Sequence, residues 1–224
     1  MSLPRPVKAV VFDMDGLLVD TETAARDAFF EIAAGLGHDI PGHVYAQMIG
    51  APSAHGRPAL QAHVGAGVDL DPLWAAWNAR FQVMVDAGVA LKAGVVDLLD
   101  HLDAAGLPRA IATSSPHRDV EGHLAHHGLR PRFNAVIARG DYARGKPHPD
   151  PFLKAAETLG VAPELCLALE DSHNGVRAAH GAGMMTIMVP DLLDPTEEMR
   201  GLCVRIADSL HDVRDLLAGQ QAAP

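Results

Sequence analysis

The sequence is poor in cysteine, in basic residues and in long apolar runs, and each shortage narrows the possible functions. Two cysteines, Cys166 and Cys203, offer neither a disulfide framework nor the spacing of a zinc site, so we expect both to be packing residues. Lys and Arg together number 18 against 28 Asp and Glu, a formal net charge of −10, and the basic residues form no stripe. We therefore expect no nucleic-acid partner.

Apolar runs are short throughout the chain. None reaches the roughly 18 residues that a membrane-spanning helix needs, and residues 1–8 lack the apolar segment of a signal peptide. The sequence therefore predicts a cytoplasmic protein with no membrane partner. Its 224 residues, 48% of them hydrophobic, suffice for one sizeable core and a smaller second module, and a monomer is the default expectation.

Two patterns of apolar residues divide the chain. Residues 21–91 contain stretches of helical periodicity, such as TETAARDAFFEIAAGL and DPLWAAWNARFQVMV, separated by Gly and Pro. Elsewhere, short apolar strands alternate with helices, which predicts an α/β fold with a parallel sheet covered on both faces. The predicted strands are residues 7–12, 109–112, 135–138, 165–169 and 184–189.

Polar residues suited to one chemistry follow these strands. The carboxyl ends of parallel strands meet at one edge of a sheet, so we expect these residues to converge. At an effective dielectric near 20, two like charges about 4 Å apart repel by about 4 kcal/mol, so clustered carboxylates require a cation. Oxygen ligands beside a phosphate favour Mg²⁺. In chain order the residues are Asp13, Asp15, Thr113, Ser114, Ser115, Lys146, Glu170 and Asp171.

Asp13 and Asp15 have the spacing for phosphoryl transfer. One carboxylate can attack phosphorus and form an aspartyl-phosphate, while the other protonates the leaving oxygen and then deprotonates water. Gly16 allows a sharp turn that brings backbone N–H groups to the phosphoryl group, so we expect it to contribute to phosphate binding.

The later motifs supply the remaining groups. Thr113 and Ser114 are expected to donate hydrogen bonds to phosphate oxygens, and Lys146 to offset charge on the nucleophile and the phosphoryl group. Glu170 and Asp171 would complete the Mg²⁺ site. Each motif alone also has a structural explanation, as a helix cap or a Pro-rich turn. Their joint occurrence at strand ends favours a catalytic site.

Four segments together resemble the haloacid dehalogenase superfamily, in its β-phosphoglucomutase-like phosphatase branch: FDMDGLLVDTE, IATSS, GKPHPDPF and LEDSHNGVRAAHGAGM. The resemblance implies a Rossmann-like core formed by residues 1–20 and 92–224, with an inserted helical cap at 21–91. It also implies Mg²⁺ held by Asp13, Asp171 and the backbone carbonyl of Asp15, with Glu170 at or beside the ion. In this family the position of Asp13 is the nucleophile, that of Asp15 the acid and base, and those of Thr113 and Lys146 bind phosphate.

The residues at several positions help to choose between the activities known in this family: phosphatase, mutase, phosphonatase and dehalogenase. Ala25 and Ser53 occupy, by a gapless count, the positions of a His and an Arg that handle sugar phosphate in the mutases, which favours hydrolysis and leaves the mutase as the alternative. Residues 21–91 contain no Lys, which excludes a phosphonatase with a Schiff-base lysine. Asp15 as leaving-group acid disfavours dehalogenation. A non-catalytic binding protein would be expected to have lost the nucleophile or a metal ligand.

The substrate is expected to be a small phosphorylated metabolite, chosen by the cap. Hexose phosphates, phosphoglycolate and nucleotides all fit, and none of the polar cap residues is singled out: Arg26, His43, His55, Arg57, His63 and Arg80. Trp74 and Trp77 are expected to pack within the fold. His123, His126 and His127 are expected to form a solvated helix face.

Overall fold

The computed structural model describes residues 3–49 and 53–221, which form two compact units. The α/β unit comprises Met1–Val19 and Leu91–Pro224, and the helical unit comprises Asp20–Ala90. These bounds differ by one residue at each junction from those expected from the sequence. No helix among the described residues combines the length and the apolar character needed to cross a membrane.

The α/β unit is built on one parallel sheet of six strands in the order β3-β2-β1-β4-β5-β6. The predicted α/β class is therefore confirmed. The central strand has the sequence AVVF and is buried along its whole length, as expected for a strand covered on both faces. The strands are β1 Ala9–Phe12, β2 Arg109–Pro116, β3 Ala135–Arg139, β4 Cys166–Glu170, β5 Met185–Met188 and β6 Arg205–Ile206.

The described residues form ten α-helices besides the strands. Helices α1 to α4 belong to the helical unit, and the others belong to the α/β unit. Their bounds are α1 Thr21–Gly35, α2 Gly42–Ala46, α3 Ser53–Val64, α4 Asp71–Ala87, α5 Val95–Ala104, α6 His117–His126, α7 Asp150–Leu159, α8 His173–Gly181, α9 Glu197–Leu202 and α10 Leu210–Gln221.

Alternate residues of β1 face two separate apolar clusters. Val10 and Phe12 belong to a cluster with leucines of α5 and apolar residues of α10, whereas Ala9 and Val11 belong to a cluster with α7 and α8. This two-residue period follows from the pleat of the strand. Buried Cys166 in β4 packs in the second cluster, as expected for a packing cysteine, and burial raises the pKa of its thiol to about 11.

The helical unit has an aromatic core of its own. Phe29 lies 5.2 Å from the ring of Trp77, which in turn lies 5.5 Å from Trp74, both in edge-on geometry. The indole Nε1–H of Trp77 donates to the carbonyl of Ala25 at 2.8 Å, which fastens α4 to α1. Both tryptophans therefore pack within the fold, as predicted.

Two sequence predictions need correction. His123 does not lie on a solvated face: it is buried, because it shares the inner face of α6 with Val120 and Leu124. Residues 205–206 lie outside the five predicted strands, but they form β6, which pairs with β5 at the edge of the sheet. A strand of two residues is too short to show the alternation by which strands are predicted.

Candidate active site

Asp13 directly follows β1, and its amide donates to Leu169 of β4 at 2.9 Å, which extends the pairing of these two strands. The ammonium group of Lys146 contacts the Asp13 carboxylate and lies 2.5 Å from Oε1 of Glu170. Lys146 comes from the loop between β3 and α7, not from the strand end itself. All three side chains are buried, so the sheet edge holds a desolvated cluster of two carboxylates and one lysine.

The chain makes a tight turn at residues 16–18, shortly after Asp13. Gly16 has a φ of 78°, a left-handed conformation that favours glycine, and its N–H donates to the carbonyl of Val19 at 2.9 Å. Gly16 thus makes the expected turn, but its own N–H is engaged within that turn. The amides of Leu18 and Val19 are engaged as well, both with the carbonyl of Met14.

Asp15 accepts hydrogen bonds from two hydroxyl groups at the end of β2. Its Oδ2 accepts a hydrogen bond from Ser115 Oγ at 2.6 Å and a longer one from Thr113 Oγ1 at 3.4 Å. Thr113 Oγ1 also accepts from the Ser115 amide at 3.0 Å. Ser114 is exposed, and its carbonyl accepts from Arg139. The structure therefore brings Thr113 and Ser115 against Asp15 and turns Ser114 outward.

Glu170 and Asp171 follow one another at the end of β4. Glu170 is fully buried, and its Oε2 accepts from the amides of Asp171 and Ser172, both at 3.1 Å, and from the Ser172 hydroxyl at 3.0 Å. Oxygens of Asp13, Glu170 and Asp171 all lie within 4.8 Å of one another. These three buried carboxylates could hold a metal ion.

The three carboxylates of this cluster outnumber the one lysine, Lys146, that contacts them. Burial raises the pKa of Asp13 to about 8, with further increases from Glu170 and Asp15, although Lys146 opposes them. For Lys146, burial disfavours the charged form, but the carboxylates of Asp13 and Glu170 outweigh it and raise its pKa above the usual value. Buried oxygen ligands with excess negative charge are suited to a hard divalent cation such as Mg²⁺.

Sequence reasoning missed the part that Ser172 and Gly175 play in this cluster. Ser172 caps α8 by accepting from the Gly175 amide at 3.1 Å, while its hydroxyl also donates to Glu170. The serine-glycine spacing of a capped helix start is visible in LEDSHNG. The contact of that cap with the preceding carboxylate is tertiary, so the motif alone could not reveal it.

Residues 7–183 match the family model of the haloacid dehalogenase-like hydrolases, a segment that includes every one of these clustered side chains. The chain belongs to this family. It is 34% identical over 206 residues to hexitol phosphatase B of Escherichia coli, with 85% of this chain and 86% of that protein covered. It is 33% identical over 228 residues to protein CbbY of Cereibacter sphaeroides, with 97% and 99% covered.

Among solved structures, this haloacid dehalogenase-like hydrolase is similar to a CbbY variant from Rhodobacter sphaeroides in complex with xylulose-1,5-bisphosphate. The sequence identity is 32% and the TM-score 0.70, with 91% of this chain and 95% of the other covered. The family resemblance predicted from the four motifs is confirmed.

Proposed function

We propose that this chain is a Mg²⁺-dependent phosphatase that hydrolyses a small phosphomonoester through a phosphorylated Asp13. The observation that carries the proposal is the buried cluster at one sheet edge, where Lys146 contacts both Asp13 and Glu170 and where Asp171 completes three carboxylates. A relative named hexitol phosphatase and a CbbY structure with a bound sugar bisphosphate support a phosphorylated sugar or polyol as the substrate class.

In the first half-reaction, a carboxylate oxygen of Asp13 attacks phosphorus while the bond from phosphorus to the leaving oxygen breaks. Asp15 gives a proton to that oxygen. Ser115 and Thr113 hold Oδ2 of Asp15 through their hydroxyls, and the proton passes from Oδ1 to the leaving group. Thr113 Oγ1 and the Ser114 amide then donate to phosphoryl oxygens, and Lys146 offsets their charge.

In the second half-reaction, Asp15, now deprotonated, takes a proton from water. The water oxygen attacks phosphorus, the bond between phosphorus and Asp13 breaks, and inorganic phosphate leaves. Asp15 ends the cycle protonated, and Asp13 ends it as a carboxylate. The same residue thus serves as acid and then as base.

Asp13, Asp171 and the backbone carbonyl of Asp15 would hold Mg²⁺. When bound, the ion neutralises charge on the carboxylates and on the incoming phosphoryl group. We place Glu170 beside the ion, because Lys146 already contacts its Oε1 and three donors of Asp171 and Ser172 surround its Oε2.

Hydrolysis is preferred over the mutase reaction because Ala25, in α1, offers no imidazole at the position where mutases have histidine. The structure describes the backbone but not the side chains of Ser53 and His55, so the predictions for them stay predictions. Within the helical unit, Arg26, Arg57 and Arg80 pair with Asp27, Asp71 and Glu31. None of these arginines is assigned to substrate.

Phosphate release from a panel of hexose, hexitol and pentose phosphates, with Mg²⁺ or with EDTA, tests the proposal. We expect release that requires Mg²⁺. β-Glucose 1-phosphate belongs in the panel, because its conversion to glucose 6-phosphate would identify a mutase. Absence of turnover on every phosphoester, with Mg²⁺ present, would refute the phosphatase and favour a binding protein.

A further inference from the structure

Arg139 ends β3 beside the proposed catalytic residues. Its Cα pairs with that of Pro116 in β2, and its Nε–H donates to the carbonyl of Ser114 at 2.9 Å. Ser114 lies in sequence between Thr113 and Ser115, whose hydroxyls bond Asp15. The Arg139 side chain is therefore hydrogen-bonded to the end of β2, the same segment whose hydroxyls contact Asp15, the proposed acid.

In the described part of the chain, Arg139 differs from its basic neighbours in having no carboxylate partner. His117 Nε2 lies 2.8 Å from Asp141 Oδ2, and Arg144 Nη2 lies 2.9 Å from Asp150 Oδ1. Within residues 3–49 and 53–221, no carboxylate contacts the guanidinium group of exposed Arg139, and its two terminal amino groups bond no other residue. Its charge and its terminal N–H donors are thus left for a ligand.

The spacing of the strands suits a ligand that also reaches Asp13. Arg139 on β3 and Asp13 after β1 are separated by two strand spacings, roughly 10 Å. A phosphoester anchored at Asp13 and extended along the strand ends past β2 would bring the far end of a carbon chain towards Arg139. The planar guanidinium fork binds phosphate or carboxylate in bidentate fashion.

We propose that Arg139 binds a second anionic group, phosphate or carboxylate, at the far end of the substrate and so selects phosphoesters with two anionic ends. The inference rests on the proposed phosphatase function of the same site. Arg139 would be a specificity residue of the α/β unit, whereas the sequence analysis predicts that the helical insert chooses the substrate.

Matched pairs of probes test the role of Arg139 in turnover. Fructose 1,6-bisphosphate against fructose 6-phosphate tests a second phosphate, and 6-phosphogluconate against glucose 6-phosphate tests a carboxylate. For wild type we expect kcat/KM to favour the two-anion member of at least one pair by about tenfold, mainly through KM. Arg139→Gln should abolish that preference. Arg118→Gln, which removes an 84% exposed arginine of α6, should retain it.

A binding experiment separates failure of this inference from failure of the phosphatase proposal. Calorimetry with Asp13→Asn measures the affinity for the same four probes, with and without Arg139→Gln. Tighter binding of a two-anion probe, lost in the double variant, supports the inference even if wild type releases no phosphate. Equal affinity within both pairs, no binding of any probe, or a preference that survives Arg139→Gln would overturn it.

Discussion

Gly175 lies directly against the carboxylate of Glu170, so closely that a Cβ at position 175 would overlap the carboxylate carbon and both oxygens. The contact arises because Glu170 turns its side chain towards the first turn of α8, where Ser172 donates to it. Glycine at 175 therefore makes room for the carboxylate that holds Lys146. A helix residue that contributes no side chain thus shapes the proposed catalytic cluster.

Gly175→Ala should displace the Glu170 carboxylate and disturb the hydrogen bonds of its buried oxygens. We expect a loss of about 1–3 kcal/mol in the free energy of unfolding, measured by urea denaturation, together with reduced activity. Gly181→Ala in the same helix is the control, because its Cβ would meet only Pro149 at 3.8 Å. That variant should be neutral or stabilised by up to about 1 kcal/mol. Equal effects of the two variants would contradict the account.

Ser115→Ala should misplace Asp15, since it removes the 2.6 Å hydrogen bond to Oδ2. We expect kcat to fall about tenfold with alkyl phosphates, whose leaving oxygen needs a proton. With p-nitrophenyl phosphate, whose leaving group is stable as an anion, the loss should be much smaller. Ser114→Ala is the control, because that side chain is exposed, and it should change neither rate strongly. An equal loss on both substrates would argue against a role through Asp15.

Mg²⁺ should raise the melting temperature of the wild-type protein, because an ion bound only to the folded state adds about 2.7 kcal/mol at one hundred times its Kd. Asp171→Asn should abolish this increase. Without Mg²⁺ it should be at least as stable as wild type, since it removes one of the crowded carboxylates. Asp191→Asn, at a buried acid paired with Lys92, should keep the Mg²⁺ response. A response that survives Asp171→Asn would remove Asp171 from the metal site.

The sheet and the candidate catalytic cluster were predictable because their signals are local. The buried run VKAVVF and the carboxylates that follow it place Asp13 at a strand end by themselves, and the alternation of strands and helices fixes which ends meet. Lys146 was predicted through its motif although it comes from a loop. Its contact with Asp13 depends on the path of that loop, which no periodicity reveals.

Other features escaped prediction for physical reasons. His123 looked solvated because it adjoins polar neighbours, whereas its place on the inner face of α6 depends on how that helix packs. The link from Ser115 to Asp15 and the fit of Gly175 against Glu170 are contacts between segments far apart in sequence or across a turn. Side-chain direction decides both contacts, and composition carries no information about direction.

The most direct test of Asp13 as the nucleophile of a Mg²⁺-dependent phosphatase compares phosphate release by wild type and Asp13→Asn. The substitution keeps the shape of the side chain and removes the attacking charge. With Mg²⁺ and the best substrate of the panel, we predict that the variant loses at least about 1,000-fold in kcat while remaining folded. An Asp13→Asn variant that releases phosphate at the wild-type rate would contradict the account.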